Sequence, residues 1–106
     1  MKVYNKNMLI QVHVYIKGDV IGVGFRAWVK IQAKIAGVHG WVRNSHDKED
    51  VFGAGGGVEA VLQGEEENVK KLIEIFKQGS AISHVEEVEI IHQEPKEMFE
   101  SFEIRK

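Results

Sequence analysis

The stretch LIQVHVYIKGDVIGVGFRAWVKIQAKIAG, residues 9–37, decides how the chain folds. Its first half alternates. Ile10, Val12, Val14 and Ile16 fall on one side of an extended chain, and Gln11, His13, Tyr15 and Lys17 on the other, which predicts a half-buried strand over Leu9 to Lys17. The second half changes period and predicts a helix from Phe25 to Ala36. Its apolar face holds Phe25, Trp28, Val29, Ile31 and Ile35, and Gly37 stops it. Gly18, Gly22 and Gly24 make the turn between the two.

Working outward, Val38 to Asn44 reads as a second strand. Val58 to Gln63 reads as a third, with Val58, Ala60 and Leu62 alternating against Glu59 and Gln63. The second helix is marked by Val69, Leu72, Ile73 and Phe76 at i, i+3, i+4 and i+7, with acids at Glu65 to Glu67 and Gly79 at its end. Val85 to His92 is a fourth strand, and Phe99 to Arg105 a short fifth after the single proline, Pro95. The glycine run Gly53 to Gly57 reads as a flexible loop tip, and Asp47 to Asp50 as a solvated loop. The order β-α-β-β-α-β plus a terminal strand predicts an α+β, ferredoxin-like sandwich. Its two helices pack on one face of a mainly antiparallel sheet of four to five strands. That arrangement hosts unrelated activities, so function has to come from a site.

Bulk properties narrow the choice. At 106 residues the chain is read as one domain, 1–106, with residues 1–8 as an N-terminal extension. No apolar run approaches the roughly 20 residues of a membrane span, and no signal peptide is read at the N-terminus. A cytoplasmic protein is expected. The absence of cysteine removes disulfides, thiolate metal sites and cysteine nucleophiles together. The five histidines, at 13, 39, 46, 84 and 92, have no metal-ligand spacing, so neither a metal nor a cofactor is expected. Net charge is -2, yet Met1 to Arg43 holds seven Lys and Arg against Asp19 alone. That stretch can attract a small anion without making the protein a binder of nucleic acid or membrane.

Gly18 to Arg26 is suited to an anion. Glycines let successive backbone N–H groups converge, the helix start adds unpaired N–H groups and a positive dipole end, and Arg26 offers a bidentate fork in the first turn. A nucleotide P-loop would need Lys-Ser/Thr here, and there is none. Gly22-Val23-Gly24-Phe25-Arg26-Ala27 fits the dinucleotide fingerprint. However, the second strand ends in Arg43 and Asn44 with no acid for a ribose, and the chain is too short for two nucleotide-binding halves.

A third pattern is more specific. Gly22-Val23-Gly24-Phe25-Arg26, preceded by Gly18-x-Val20-x, resembles the signature of the acylphosphatase family, and Gly40-Trp41-Val42-Arg43-Asn44 resembles its second motif. Val58 to Gly64 and Phe102 to Arg105 are similar to further segments of the family. The resemblance implies hydrolysis of a small-molecule acyl phosphate by a monomer, with inorganic phosphate or sulfate as competing anion. It implies that the backbone of Ile21, Gly22, Val23, Gly24 and Phe25 cradles the phosphate, that Arg26 binds it, and that the Asn44 amide positions the attacking water. Ser45 is expected to help orient that amide, and Asp19 to face solvent. The family commonly has glutamine where Ile21 stands and a basic or polar residue where Asp19 stands. Its hairpin is usually shorter than Ser45 to Gly57.

Two rivals are carried forward. RNA-recognition domains share the strand and helix order but display aromatics on two central strands, whereas here strand one offers Tyr15 and strand three none. A sensing domain would keep the anion loop without turnover. Carbamoyl phosphate is the related substrate expected for acylphosphatase-like domains of larger maturation proteins.

Overall fold

The computed structural model describes residues 8–106. The expected extension, residues 1–8, lies outside the described residues apart from Met8. The elements run β1 (Leu9–Asp19), α1 (Phe25–Ala36), β2 (His39–Ser45), α2 (Glu49–Phe52), β3 (Gly57–Glu65), α3 (Glu66–Gln78), β4 (His84–Gln93) and β5 (Phe102–Ile104). The strands form one sheet in the order β4-β1-β3-β2-β5. β3 pairs antiparallel with β1 and β2, β4 antiparallel with β1, and β5 parallel with β2. The sheet is therefore the expected α+β, ferredoxin-like one, with a parallel strand added at its edge.

The helices are where the periodicity puts them, and α1 has the predicted limits. It buries Phe25, Val29 and Ala33, a stripe at i, i+4 and i+8. Ile31 and Ile35 were expected on that face, but they are 56% and 76% exposed. Each lies two positions from a stripe residue, a rotation of about 200°, so the helix turns them away and packs small Ala33 against the sheet instead. α3 buries all four expected residues, Val69, Leu72, Ile73 and Phe76. The ring of Trp28 bridges the helices, with centroids 5.2 Å from Phe25 and 6.3 Å from Phe76. Under both helices lie Val12, Val14, Ile16, Val42, Val58, Ala60 and Leu62 in one core. At roughly 1.5–3 kcal/mol per fully buried aliphatic or aromatic side chain, this core is the main stabilising term.

The far side of the sheet was not foreseen. β3 is buried on both faces: Glu59 is 1% and Gln63 3% exposed, so the alternation of polar residues there does not mean solvent. Cross-strand partners share a face, and Tyr15, Glu59 and Arg43 are in register. Glu59 accepts from Arg43 through Nε and Nη2, and its other oxygen lies 2.7 Å from His13 Nε2. Gln63 donates to the Glu97 carbonyl at 2.7 Å and accepts from the Phe99 N–H at 3.0 Å. The segment before β5 thus crosses this face. Phe99 belongs to that cover rather than to the strand, which begins at Phe102.

Gly40 fixes the approach of β2 to β3. Its φ is 140°, and a Cβ there would run into the Val61 carbonyl. Gly40→Ala should lower stability by about 2 kcal/mol or more, read as a lower urea midpoint at unchanged m-value. Gly55→Ala, at a position with no heavy atom within 4 Å, should leave the midpoint nearly where it is.

Candidate active site

Two strands end at the same place. Ile16 of β1 and Asn44 of β2 both stand in register with Val58, one on each side of it. Ile16 and Val58 belong to the core under the helices, so the Asn44 side chain projects to the same face. Just beyond Ile16 the chain turns through Gly18 to Gly24 and enters α1, bringing the start of that helix over the end of β2.

The turn is built from glycine where the backbone requires it. Gly22 has φ 80° and Gly24 φ 71°, and Gly24 caps α1 in the left-handed conformation with no side-chain cap bond. The first intrahelical bond runs from Trp28 N–H to the Gly24 carbonyl, at 3.1 Å. The N–H groups of Phe25, Arg26 and Ala27 are therefore outside the helical ladder. Among the described residues no main-chain carbonyl accepts from the amides of Ile21 to Gly24 either. No acid occupies the first turn of α1, so the helix dipole there is not offset locally.

A cavity of about 190 Å³ opens at this point, lined by Gly22, Gly24, Phe25, Arg26 and Asn44 together with Val20, Ala27 and Ile104. Arg26 and Asn44, 18 residues apart in sequence, thus share one pocket. Ile21 and Val23 do not line it; their side chains pack against the core and anchor the loop whose backbone forms the rim. Ala27 and Ile104 escaped the sequence reading. For Ile104 the signal was the alternating Phe102-Glu103-Ile104, but its route to the site depends on the parallel pairing with β2. Asn44 Oδ1 is buried with no hydrogen-bond partner among the described residues, a state that costs roughly 1–3 kcal/mol. Arg26 makes no ion pair among them. Asp19 is exposed, as expected.

Ser45 does not orient the Asn44 amide. Neighbouring residues in a strand point to opposite faces, and the Ser45 hydroxyl donates to Asp47 Oδ1 at 2.9 Å. The next turn is the short helix α2, where a plain loop was expected. Among the described residues no three His, Asp or Glu side chains are grouped to hold a metal ion, and no helix is long and apolar enough to cross a membrane.

Comparison with known proteins agrees with this fold. A model of the acylphosphatase family matches residues 12–104. The chain belongs to the acylphosphatase family. It is 45% identical over 96 residues to an acylphosphatase of Synechococcus sp. (strain JA-2-3B'a(2-13)), covering 91% of this chain and 93% of that one. It is also 45% identical over 95 residues to an acylphosphatase of Pyrobaculum islandicum, covering 90% and 93%. Among solved structures, an acylphosphatase from Coxiella burnetii superposes with a TM-score of 0.80 at 30% identity, covering 99% of this chain and all of that one.

The Ser45 hydroxyl is the main cause holding the Asp47 carboxyl below its ordinary range. A carboxylate stabilised in this way favours the fold above the ordinary carboxylate pKa, and the contribution is lost as pH falls through the lowered native pKa. Ser45→Ala should therefore move the Asp47 titration upward, followed by NMR of its side-chain carboxyl, and remove that part of the acid dependence of stability.

Proposed function

We propose that this acylphosphatase cleaves the carboxyl–phosphate bond of small acyl phosphates with Arg26 and Asn44 as its catalytic side chains. The observation that carries the reading is that Asn44, whose Oδ1 is buried without a hydrogen-bond partner among the described residues, lines the same cavity as Arg26 and the open start of α1. A carboxamide lining that cavity suits a water molecule, and the donors that share the cavity suit phosphoryl oxygens. The amides of residues 21–25 and the α1 dipole receive the phosphoryl group, and the Arg26 guanidinium takes two of its oxygens. Asn44 Oδ1 accepts a hydrogen from water and turns its lone pair toward phosphorus.

In the reaction the water oxygen bonds to phosphorus while the bond from phosphorus to the carboxyl oxygen breaks. The electron pair leaves with the carboxylate, and the water proton passes to a phosphoryl oxygen, giving inorganic phosphate. Carboxylate leaves readily without prior protonation, so a general acid has little to add. Positioning and fixed positive charge can supply most of the barrier reduction. The reading takes residues 1–106 as one domain acting as a monomer in the cytoplasm, with inorganic phosphate or sulfate as competing anions.

The far face of the sheet favours no RNA reading. Its aromatic residues are tied to each other, His13 to Tyr15 at 4.8 Å and Tyr15 to Phe52 at 5.6 Å between centroids, rather than displayed as a stacking platform.

Hydrolysis of benzoyl phosphate, assayed with and without chelator, tests the proposal. Turnover should be indifferent to chelator, inhibited competitively by inorganic phosphate, and reduced by on the order of a hundredfold in both Arg26→Ala and Asn44→Ala. Phosphate inhibition should weaken in Arg26→Ala and persist in Asn44→Ala. Undiminished turnover in either variant would remove that residue from the mechanism.

A further inference from the structure

Asn44 Oδ1 has no hydrogen-bond partner among the described residues, and the side chain borders a cavity, so where the amide points depends on the backbone that carries it. That stretch of backbone has a strand on one side only. β5 pairs with β2 at Gly40, Trp41 and Val42, and the Arg105 N–H then donates to the Val42 carbonyl at 2.8 Å. Arg43, Asn44 and Ser45 pair with β3 alone among the described residues. Directly after them the chain enters the connection that holds α2. The Ser45 hydroxyl is tied into that connection, to Asp47, and not to the sheet.

We propose that Arg43 and Glu59 are a positioning pair for Asn44, their ion pair on the far face holding the end of β2 against β3 and so setting the place of the carboxamide in the cavity. The inference rests on the reading above, in which Asn44 aims the attacking water. Arg43 precedes Asn44 and Glu59 follows Val58, so the two pairs are consecutive in the ladder. Arg43 reaches Glu59 Oε1 through both Nε and Nη2, a fork that fixes direction as well as distance. Glu59 has little room to shift. It is buried on the central strand, and its Oε2 lies 2.7 Å from His13 Nε2 on β1. The tie therefore runs from β2 through β3 to β1, the strand from which the phosphate loop departs. Both halves of the catalytic cavity are referenced to one buried carboxylate. A misplacement of about 1 Å can cost on the order of a hundredfold in rate. A loosened end of β2 is felt in turnover rather than in binding, because Arg26 and the loop amides belong to α1 and the turn before it.

The test measures kcat and KM for benzoyl phosphate, and competitive inhibition by inorganic phosphate, in Arg43→Met/Glu59→Leu and in Arg43→Lys, each made in the wild type and in Asn44→Ala. Replacing both partners by apolar side chains of similar size removes the tie without leaving a buried charge, so the urea midpoint should stay near that of the wild type. kcat should nonetheless fall about tenfold, with KM and phosphate inhibition within about twofold of wild type. In Asn44→Ala the same changes should lower kcat no further, because the group they misplace is gone. Arg43→Lys, which keeps a charge beside Glu59 and loses the fork, should give a smaller loss of the same kind. An unchanged kcat in a folded Arg43→Met/Glu59→Leu overturns the pair's role, and so does an equal loss with and without Asn44. If that variant does not fold, Arg43→Lys decides by the same comparison in the two backgrounds. Undiminished turnover in Asn44→Ala alone overturns instead the reading on which the pair rests.

Discussion

Val58, held between Ile16 and Asn44, is the register on which the rest of the molecule depends. Antiparallel pairing of β1 and β2 with one central strand brings their C-terminal ends to the same end of the sheet. The glycine turn leaves from one of those ends and Asn44 sits at the other. Because side chains alternate strictly, a slip of a single residue would send Asn44 to the far face. The core prevents that slip: Val42, Val58, Ala60 and Leu62 have to meet Phe25, Val29 and Phe76 under the helices. The pocket is thus first of all a consequence of hydrophobic packing.

The same register governs the other face. Glu59 is buried in the middle of the sheet, where an unpaired carboxylate would be costly. It is compensated by Arg43 on one neighbouring strand and His13 on the other. A buried pair of this kind is a poor source of net stability, since desolvation offsets most of the attraction. Removing one partner is nonetheless strongly unfavourable. The pair therefore acts as a constraint on which residues can lie opposite one another, directly beside the Asn44–Val58 pairing. Trp41 lies over this region between Arg43 and Arg105, whose guanidinium carbons are 5.8 and 5.2 Å from its ring, and so links β5 to the same surface.

Most of the architecture could be read in the sequence because it rests on periodicity and glycine, both local signals. The limits of α1, the four buried residues of α3 and the turn from Gly18 to Gly24 are of that kind. What escaped reading is non-local. Nothing near Glu59 announces that Gln63, Glu97 and Phe99 will close over the far face, and a polar residue at alternate positions looks the same whether it meets water or a partner. Ile31 and Ile35 misled because hydrophobicity was counted without the helical phase that Val29 and Ala33 set. The Arg26 and Asn44 pair was legible only through two motifs taken together, since either alone suits an ordinary turn. Ser45 misled because adjacency along a strand implies opposite directions in space.

The loop's apolar residues deserve as much chemical weight as its glycines. Donors stabilise a transition state in proportion to how little they must reorganise when charge develops. A turn made of glycine alone would be loose, because glycine surrenders the most conformational freedom on ordering. Here the glycines at 22 and 24 alternate with Ile21, Val23 and Phe25, whose side chains reach down into the core or against it. Each positive-φ position is therefore clamped between two hydrophobic anchors. At position 21 the isoleucine side chain packs against the core, which leaves the main-chain N–H as the one donor that residue can offer an anion. The rigidity of this turn therefore comes from the same hydrophobic packing that fixes the register of the sheet.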